Sequence, residues 1–255
     1  MSLFSSDLIT YGLTRFYSEI YNQEIVGYND FILNFVREKN ILWEEKICDL
    51  IVNNIENDKE FIDIGSNIGL ISLGVNKIAR EKGKNISHIH CFECDTNTFR
   101  MLVHNTILLN DSYIKLYPFA IADKTQLCLM SENNYNRGCN FIYNTFDSIS
   151  SNNYNYPFIP SSNYYEKKCY VPALSLDEIS YQFKNVGVIK IDVEGFEYFV
   201  LLGARDIILK YKPIIFIEIW DVNREKIFNL MKEHYGYELE WIGEQNYICR
   251  PLSKS

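Results

Sequence analysis

Glu60-Phe61-Ile62-Asp63-Ile64-Gly65-Ser66-Asn67-Ile68-Gly69-Leu70 reads as a short apolar strand, a tight glycine turn and the first turn of a helix. Ile68, Ile71, Val75 and Ile78 then fall on one helical face. Outward from this unit the same grammar repeats. Apolar runs at 61–64, 86–92, 114–120, 186–191 and 214–219 alternate with amphipathic stretches, among them 196–209, which stops before Pro213. Strands that alternate with helices predict an α/β fold, a doubly wound parallel sheet covered on both faces. A last helix over 222–235 ends at Gly236, and 237–242 with 247–250 read as a closing hairpin. Upstream, Trp43, Ile47, Leu50, Ile51 and Ile55 recur at three-to-four spacing. Residues 1–57 therefore read as an N-terminal helical cap and 58–255 as the main domain. The stretch 131–168 interrupts the alternation and is rich in Asn, Tyr and Ser. It reads either as a solvated insertion or as a substrate lid whose tyrosines (135, 143, 154, 156, 164, 165) stack on an acceptor, with 126–130 and 169–174 as flanking strands.

At 255 residues, 47% hydrophobic and 23% charged, the chain has enough apolar content for a large core, which excludes disordered and collagen-like classes. A net charge of -8 argues against a nucleic-acid partner bound through a basic face. Seven cysteines (48, 91, 94, 128, 139, 169, 249) are odd in number and scattered, which fits reduced thiols in a cytoplasmic protein. The N-terminus has no basic start or apolar run, and the greasiest stretch, 214–220, is short and holds Glu218, so no membrane span is expected. Alanine stands only at 79, 120, 122, 173 and 204 while Ile and Asn abound, a pattern of AT-rich coding such as a low-GC microbe or a large virus would use.

The glycine turn has neither Gly-x-Gly-x-x-Gly nor Gly-Lys-Ser/Thr, so the cradles that hold a pyrophosphate or a triphosphate are absent from it. Asp63 at the strand end would repel phosphate and attract an amino group or a sulfonium. The second strand ends His90-Cys91-Phe92-Glu93-Cys94-Asp95, which puts Glu93 where a carboxylate accepts the two hydroxyls of a ribose. Together these predict an adenosine without phosphates. Cys91 and Cys94 could form half a zinc site, but no second cysteine pair of suitable spacing follows. His88 and His90 share a strand face without a third ligand nearby and read as packed or surface residues.

The turn Asp63-Ile-Gly-Ser-Asn-Ile-Gly, Phe92-Glu93, Leu176-Asp177-Glu178 and Ile189-Lys190-Ile191-Asp192-Val193-Glu194-Gly195-Phe196-Glu197 together resemble the FkbM family of S-adenosylmethionine-dependent methyltransferases, from about Glu60 to Trp220. The resemblance implies a class I methyltransferase fold, Rossmann-like, with a seven-stranded sheet, the last strand antiparallel, and methylation of a hydroxyl oxygen. It implies S-adenosylmethionine as cofactor. Asp63, Gly65, Ser66, Asn67 and Gly69 would line its methionine end, Glu93 and Cys94 the ribose, and Ala122 and Asp123 the adenine. Cys94 departs from the proline common in the family.

Methyl transfer from a sulfonium is an in-line displacement, so the protein must align the acceptor oxygen and remove its proton. The candidate catalytic residues are Asp192, Glu194, Glu218 and Lys190. In an extended segment Asp192 and Glu194 share one face, and Lys190 would lie opposite them only if the strand breaks before Gly195. Crowded carboxylates raise one another's pKa and favour a base near neutral pH, which Lys190 would offset. Asp192, Glu218 and Asp221 could instead hold Mg²⁺, a reading ranked below a metal-free base. The bland alternative makes Asp192, Glu194 and Glu197 helix caps, favoured for Glu197, and gives Asp177 and Glu178 the same role. The expected acceptor is a small molecule or glycan, a sugar hydroxyl first and a lipid-like or polyketide alcohol second. A base amino group in nucleic acid would call for Asn/Asp-Pro-Pro-Tyr/Phe, and Asp192-Val193-Glu194-Gly195 does not match it. A noncatalytic binding subunit of the same fold is the reading outside enzymology.

Overall fold

The computed structural model describes residues 12–107, 113–133, 140–143 and 165–252. Its first described elements are strands. β1 (Leu13–Ser18) and β2 (Gln23–Tyr28) form an antiparallel hairpin, and only then come α1 (Phe31–Lys39) and α2 (Glu45–Asn54). The helical expectation for the N-terminal segment is therefore corrected over 13–28. Phe16, Tyr17, Ile25 and Val26 are strand formers, and Asn22 at φ 52 closes the turn between them. Buried Asn105 fixes the hairpin by accepting from Val26 N at 2.8 Å and donating to Val26 O and Ile68 O at 2.9 Å each.

The glycine unit follows as predicted, with β3 (Lys59–Ile64), α3 (Leu70–Glu81), β4 (Ile86–Phe92), α4 (Thr96–Ile107) and β5 (Ile114–Tyr117). Pro118 separates β5 from β6 (Ala120–Ile121), where the sequence suggested one strand over 114–120. β6, β7 (Gln126–Asn133), β8 (Phe141–Tyr143) and β9 (Tyr165–Leu174) make a separate four-stranded sheet in the order β6-β9-β7-β8. The two flanking strands expected around the Asn/Tyr-rich stretch are β7 and β9. Tyr135, Tyr154, Tyr156 and Tyr164 lie outside the described residues.

β10 (Val186–Ile191), α5 (Glu197–Gly203), α6 (Arg205–Tyr211), β11 (Ile214–Glu218), α7 (Asp221–Asn229) and the hairpin β12 (Tyr237–Gly243) and β13 (Asn246–Pro251) complete the chain. The helix expected over 196–209 is broken at Ala204. There Asp177 accepts from the N–H groups of Asp206 and Ile207 at 2.9 and 3.0 Å and so caps α6 rather than α5. Glu178 and Ser175 cap each other reciprocally, Ser175 N to Glu178 Oε2 at 3.0 Å and Glu178 N to Ser175 Oγ at 3.1 Å.

The main sheet runs β12-β13-β11-β10-β3-β4-β5, parallel except for β13, which is antiparallel to both neighbours. Its central strands are apolar on both faces, which is why they read as continuous runs. Phe61, Ile89, Val188 and Phe216 join one layer with Ile25, Leu33, Val36 and Ile51 from the N-terminal elements. Ile62, Phe92, Ile189, Ile191 and Ile217 join the other with Phe196, Val200 and Ile207. Strand order reverses between β3 and β10, and a cleft opens at their carboxyl ends, where an open α/β sheet binds ligands.

Candidate active site

The turn after β3 is held by its own backbone. Gly65 N and Ser66 N both donate to Phe92 O, at 3.0 and 2.9 Å, and Ser66 Oγ donates to Asp63 O at 2.7 Å. Gly65, Asn67 and Gly69 have φ of 83°, 51° and 90°, a left-handed series that gives the glycines their necessity. A Cβ on Gly65 would sit 1.8 Å from the carbonyl oxygen of Asp192, so the β3 turn and the end of β10 touch through bare backbone. Glu93 closes the turn from the next strand. Its Oε2 accepts from Asn67 N at 3.0 Å and its Oε1 from Asp95 N at 2.8 Å, while burial pushes its carboxyl up to about 7.

These residues line one half of a cleft of about 320 Å³. Phe119, Ile121, Met130 and Ile142 give that half an apolar side, contributed by the β5–β6 link and the small sheet. A backbone cradle that excludes side chains, a carboxylate with lone pairs beyond its two N–H contacts and an apolar slot beside it fit an adenosine bearing an amino-acid tail. The turn shows no lysine or arginine that would neutralise a phosphate.

The other half of the cleft is acidic. Asp192, Glu194 and Glu218 each place one carboxylate oxygen within 4.8 Å of the others. Glu194 sits at φ 52 and Gly195 at φ 97, so the chain leaves β10 through a left-handed step that turns Glu194 into the cleft. Glu197 holds that step in place, its Oε1 accepting from Gly195 N at 2.9 Å and Val193 N at 3.4 Å. Its role is thus to fix the loop that carries Glu194 rather than to cap the first turn of α5, as the helix-cap reading expected. Trp220 Nε1 donates to Glu218 Oε2 at 3.2 Å. Burial, then the neighbouring Asp192 and Glu218 charges, raise the Glu194 carboxyl well above its ordinary value, and burial with Asp192 does the same for Glu218.

Lys190 is the cation of this half. Its Nζ donates to Asp192 Oδ2 at 3.0 Å, and it is 5% exposed. Burial alone would lower its pKa, but Asp192, Asp63 and Glu44 together hold it above the usual lysine value. Lys190 and Asp192 therefore lie on the same side of the chain, which settles the facing left open by the sequence.

Five expected residues stand outside the cleft lining. Asp63 is fully buried beneath the cleft, in register with Lys190, with Oδ2 accepting from Ser72 Oγ at 2.6 Å and Oδ1 unpartnered. It faces α3 because strand parity points residue 63 into that layer, so it reaches a bound molecule only through the field it shares with Lys190. Ala122 is buried against Gly203, and Asp123 accepts from Gln126 Nε2 at 3.0 Å. Neither lines the cleft, where Phe119, Ala120 and Ile121 stand instead. Asp221 is exposed and paired with Arg224 at 2.5 Å, so Glu194 replaces it in the acidic triad. Gly65, Ser66, Asn67, Glu93 and Cys94 do line the cleft, as do Lys190, Asp192, Glu194 and Glu218. Gly69 stands behind it as the left-handed residue before α3, where a Cβ would meet Leu102 at 2.7 Å. Phe31, at the start of α1, and Trp43 and Glu44, in the turn before α2, also line the cleft beside the acidic residues, a role that sequence reasoning missed, Trp43 showing there only as part of an apolar helical series. None of the six described cysteines is in a disulfide, and no described helix is long and apolar enough to cross a membrane.

The Methyltransferase FkbM domain matches residues 63–249. A crystal structure of methyltransferase FkbM from Methylobacillus flagellatus KT superposes with a TM-score of 0.51 at 16% identity, over 86% of this chain and 52% of that one. The chain thus spans about half the length of that relative. An rRNA methylase from Streptococcus thermophilus gives 0.44 at 8% identity, over 82% of this chain and 95% of that one. A protein from Streptococcus mutans solved in complex with SAH gives 0.46 at 10%, over 82% and 97%. No curated protein sequence matches the chain. The domain match runs from the glycine turn through the acidic triad, and the chain belongs to the FkbM family of methyltransferases.

Proposed function

We propose that the chain is an S-adenosylmethionine-dependent O-methyltransferase whose acceptor is a hydroxyl group of a sugar or glycan. The observation that carries this reading is the junction at Gly65, where a phosphate-free nucleoside cradle and an acidic triad meet backbone to backbone in one cleft. Gly65, Ser66 and Asn67 would hold the amino-acid end of the cofactor, Glu93 the ribose hydroxyls, and Phe119, Ile121, Met130 and Ile142 the adenine. When bound, the cofactor supplies an activated methyl group on a sulfonium.

The chain's own work is then orientation and proton removal. Burial, then the neighbouring Asp192 and Glu197 charges, raise the Glu218 carboxyl, and Asp192 and Glu218 each place a carboxylate oxygen within 4.8 Å of the other. Lys190 gives Asp192 a counter-charge through its 3.0 Å contact, leaving Glu218 and Glu194 to exchange protons with an acceptor. A base whose pKa is raised toward neutrality is stronger than an ordinary carboxylate, and contributes on the order of 100- to 10,000-fold. Trp220 orients Glu218 from below. Closure of the apolar side excludes water from the charge that moves during transfer.

Oxygen-only donors would also suit Mg²⁺, and Asp192, Glu194 and Glu218 are the residues that would hold it. The metal-free reading is preferred because Lys190 already supplies Asp192 with a counter-charge. Methyl-labelled S-adenosylmethionine incubated with a panel of methyl pyranosides and aliphatic alcohols, with and without EDTA, tests the whole reading. Label should enter pyranosides in both conditions. Label in the alcohols alone, or in nothing, refutes the sugar assignment, and loss with EDTA refutes the metal-free base.

A further inference from the structure

The acidic half of the cleft has a wall that the family resemblance does not reach. Phe31 opens α1, and Trp43 and Glu44 stand in the turn before α2, ahead of the matched residues 63–249, yet all three line the same cleft as Asp192 and Glu218. Phe31, at the first turn of α1, is 65% exposed and lines the cleft, so its ring is open to a molecule bound there. It belongs to an aromatic group set edge to face. The centroid of Trp43 lies 6.2 Å from Phe31 at 82° and 5.6 Å from Phe35 at 87°.

This wall is rigid where it meets the sheet. Trp43 N donates to Tyr21 Oη at 3.0 Å, and Tyr21 Oη donates to Leu70 O at 3.3 Å, so Trp43 is tied through the hairpin to the first residue of α3. Glu44 follows at φ 45, a left-handed step for a non-glycine residue, as at Glu194. Two glutamates on left-handed backbone thus line one cavity, and Phe31 and Trp43 line it with them.

We propose that Phe31 and Trp43 form the stacking platform of the acceptor subsite, that Glu44 receives hydroxyls of the stacked ring, and that the subsite takes a neutral pyranose. This rests on the methyl-transfer reading above and sharpens it. One face of a pyranose presents axial C–H groups that pack on aromatic rings, while its rim presents hydroxyl donors. An apolar platform bordered by carboxylates matches both. Among the described lining residues four carboxyl groups, Glu44, Asp192, Glu194 and Glu218, stand against one cation, Lys190, so a uronic acid would add a carboxylate to a site already rich in them and a simple aliphatic alcohol leaves the carboxyl groups without hydroxyl partners.

The test measures methyl transfer to methyl pyranosides, methyl glucuronide and cyclohexanol by wild type, Phe31→Ala, Phe31→Tyr and Glu44→Gln, with S-adenosylhomocysteine binding followed by calorimetry in parallel. Phe31→Ala is expected to raise KM for the pyranoside about ten-fold, with kcat at saturation and S-adenosylhomocysteine affinity nearly unchanged, and Phe31→Tyr to restore it. Glu44→Gln should raise the pyranoside KM and narrow the preference over methyl glucuronide. If pyranosides are methylated but Phe31→Ala leaves their KM unchanged, the platform is overturned while the methyl-transfer reading stands. If cyclohexanol is preferred to every pyranoside, the ring class is overturned. If none of the compounds is methylated by wild type, the parent reading fails and takes the subsite with it.

Discussion

The two halves of the cleft are built in opposite ways. The half proposed for the cofactor is framed by one contiguous unit and the strand beside it, with an apolar side from the small sheet, and would work through backbone: Gly65, Asn67 and Gly69 at left-handed φ, with Glu93 receiving N–H groups at 3.0 and 2.8 Å. The half proposed for the acceptor gathers side chains from the start of α1, the turn before α2, the end of β10 and the end of β11, and would work through charge. A backbone cradle tolerates no added atom, whereas a charged cluster tolerates substitution at the cost of chemistry. The first half should therefore fail in binding and the second in turnover.

Gly65→Ala should produce the largest effect. Its Cβ would stand 1.8 Å from Asp192 O at a φ of 83°, so the β3 turn and the β10 end must part. S-adenosylhomocysteine affinity by calorimetry should fall by about 100-fold or more, with turnover lost as a consequence. Wild-type affinity in this variant would mean that the turn does not form the cradle.

Glu218→Gln should separate the halves most cleanly. It keeps the Trp220 contact and the shape of the cleft but removes the proton acceptor. Single-turnover rates should fall about 100- to 10,000-fold while S-adenosylhomocysteine affinity stays level. An equal loss of binding and rate would show that the two halves are not distinct.

The pH profile sharpens the charge argument. Burial and crowding raise the Glu194 and Glu218 carboxyls, so the base is protonated and inactive at acid pH, and activity rises as pH climbs through their raised values. The acid limb of kcat/KM should lie well above the ordinary glutamate value of about 4.3. Lys190 lowers the Glu194 carboxyl, so Lys190→Met should move that limb further toward alkaline pH. A limb in the ordinary carboxylate range, unmoved by Lys190→Met, would contradict the crowded-base account. Asp123→Asn carries the smallest expectation: its carboxylate binds Gln126 outside the cleft, and cofactor affinity should stay within about two-fold.

How much was legible in the sequence follows the same division. The order of strands and helices, the glycine turn and Glu93 could be read because each depends on neighbours in the chain or on a short apolar period. Asp63 shows where that stops. Its residue type and strand-end position were visible, but only the register opposite Lys190 shows that it points into the α3 layer. Ala122 and Asp123 were two residues too far along, because the break at Pro118 shifts the cleft-lining positions to Phe119, Ala120 and Ile121. Phe31 and Glu44 carry no local signal, and Trp43 shows only as one of an apolar series at helical spacing. They become a wall only when α1 and α2 fold back over the sheet, and a helical pattern in that region hid a hairpin that anchors them.

The account turns on a cleft that accepts a nucleoside without phosphates on its backbone side. Titration calorimetry of the full chain with S-adenosylhomocysteine and, separately, with NAD tests this directly. The expected result is one-site, micromolar or tighter binding of S-adenosylhomocysteine, weakened by Glu93→Ala, and no heat with NAD. Binding of NAD at the same site with none of S-adenosylhomocysteine would contradict it.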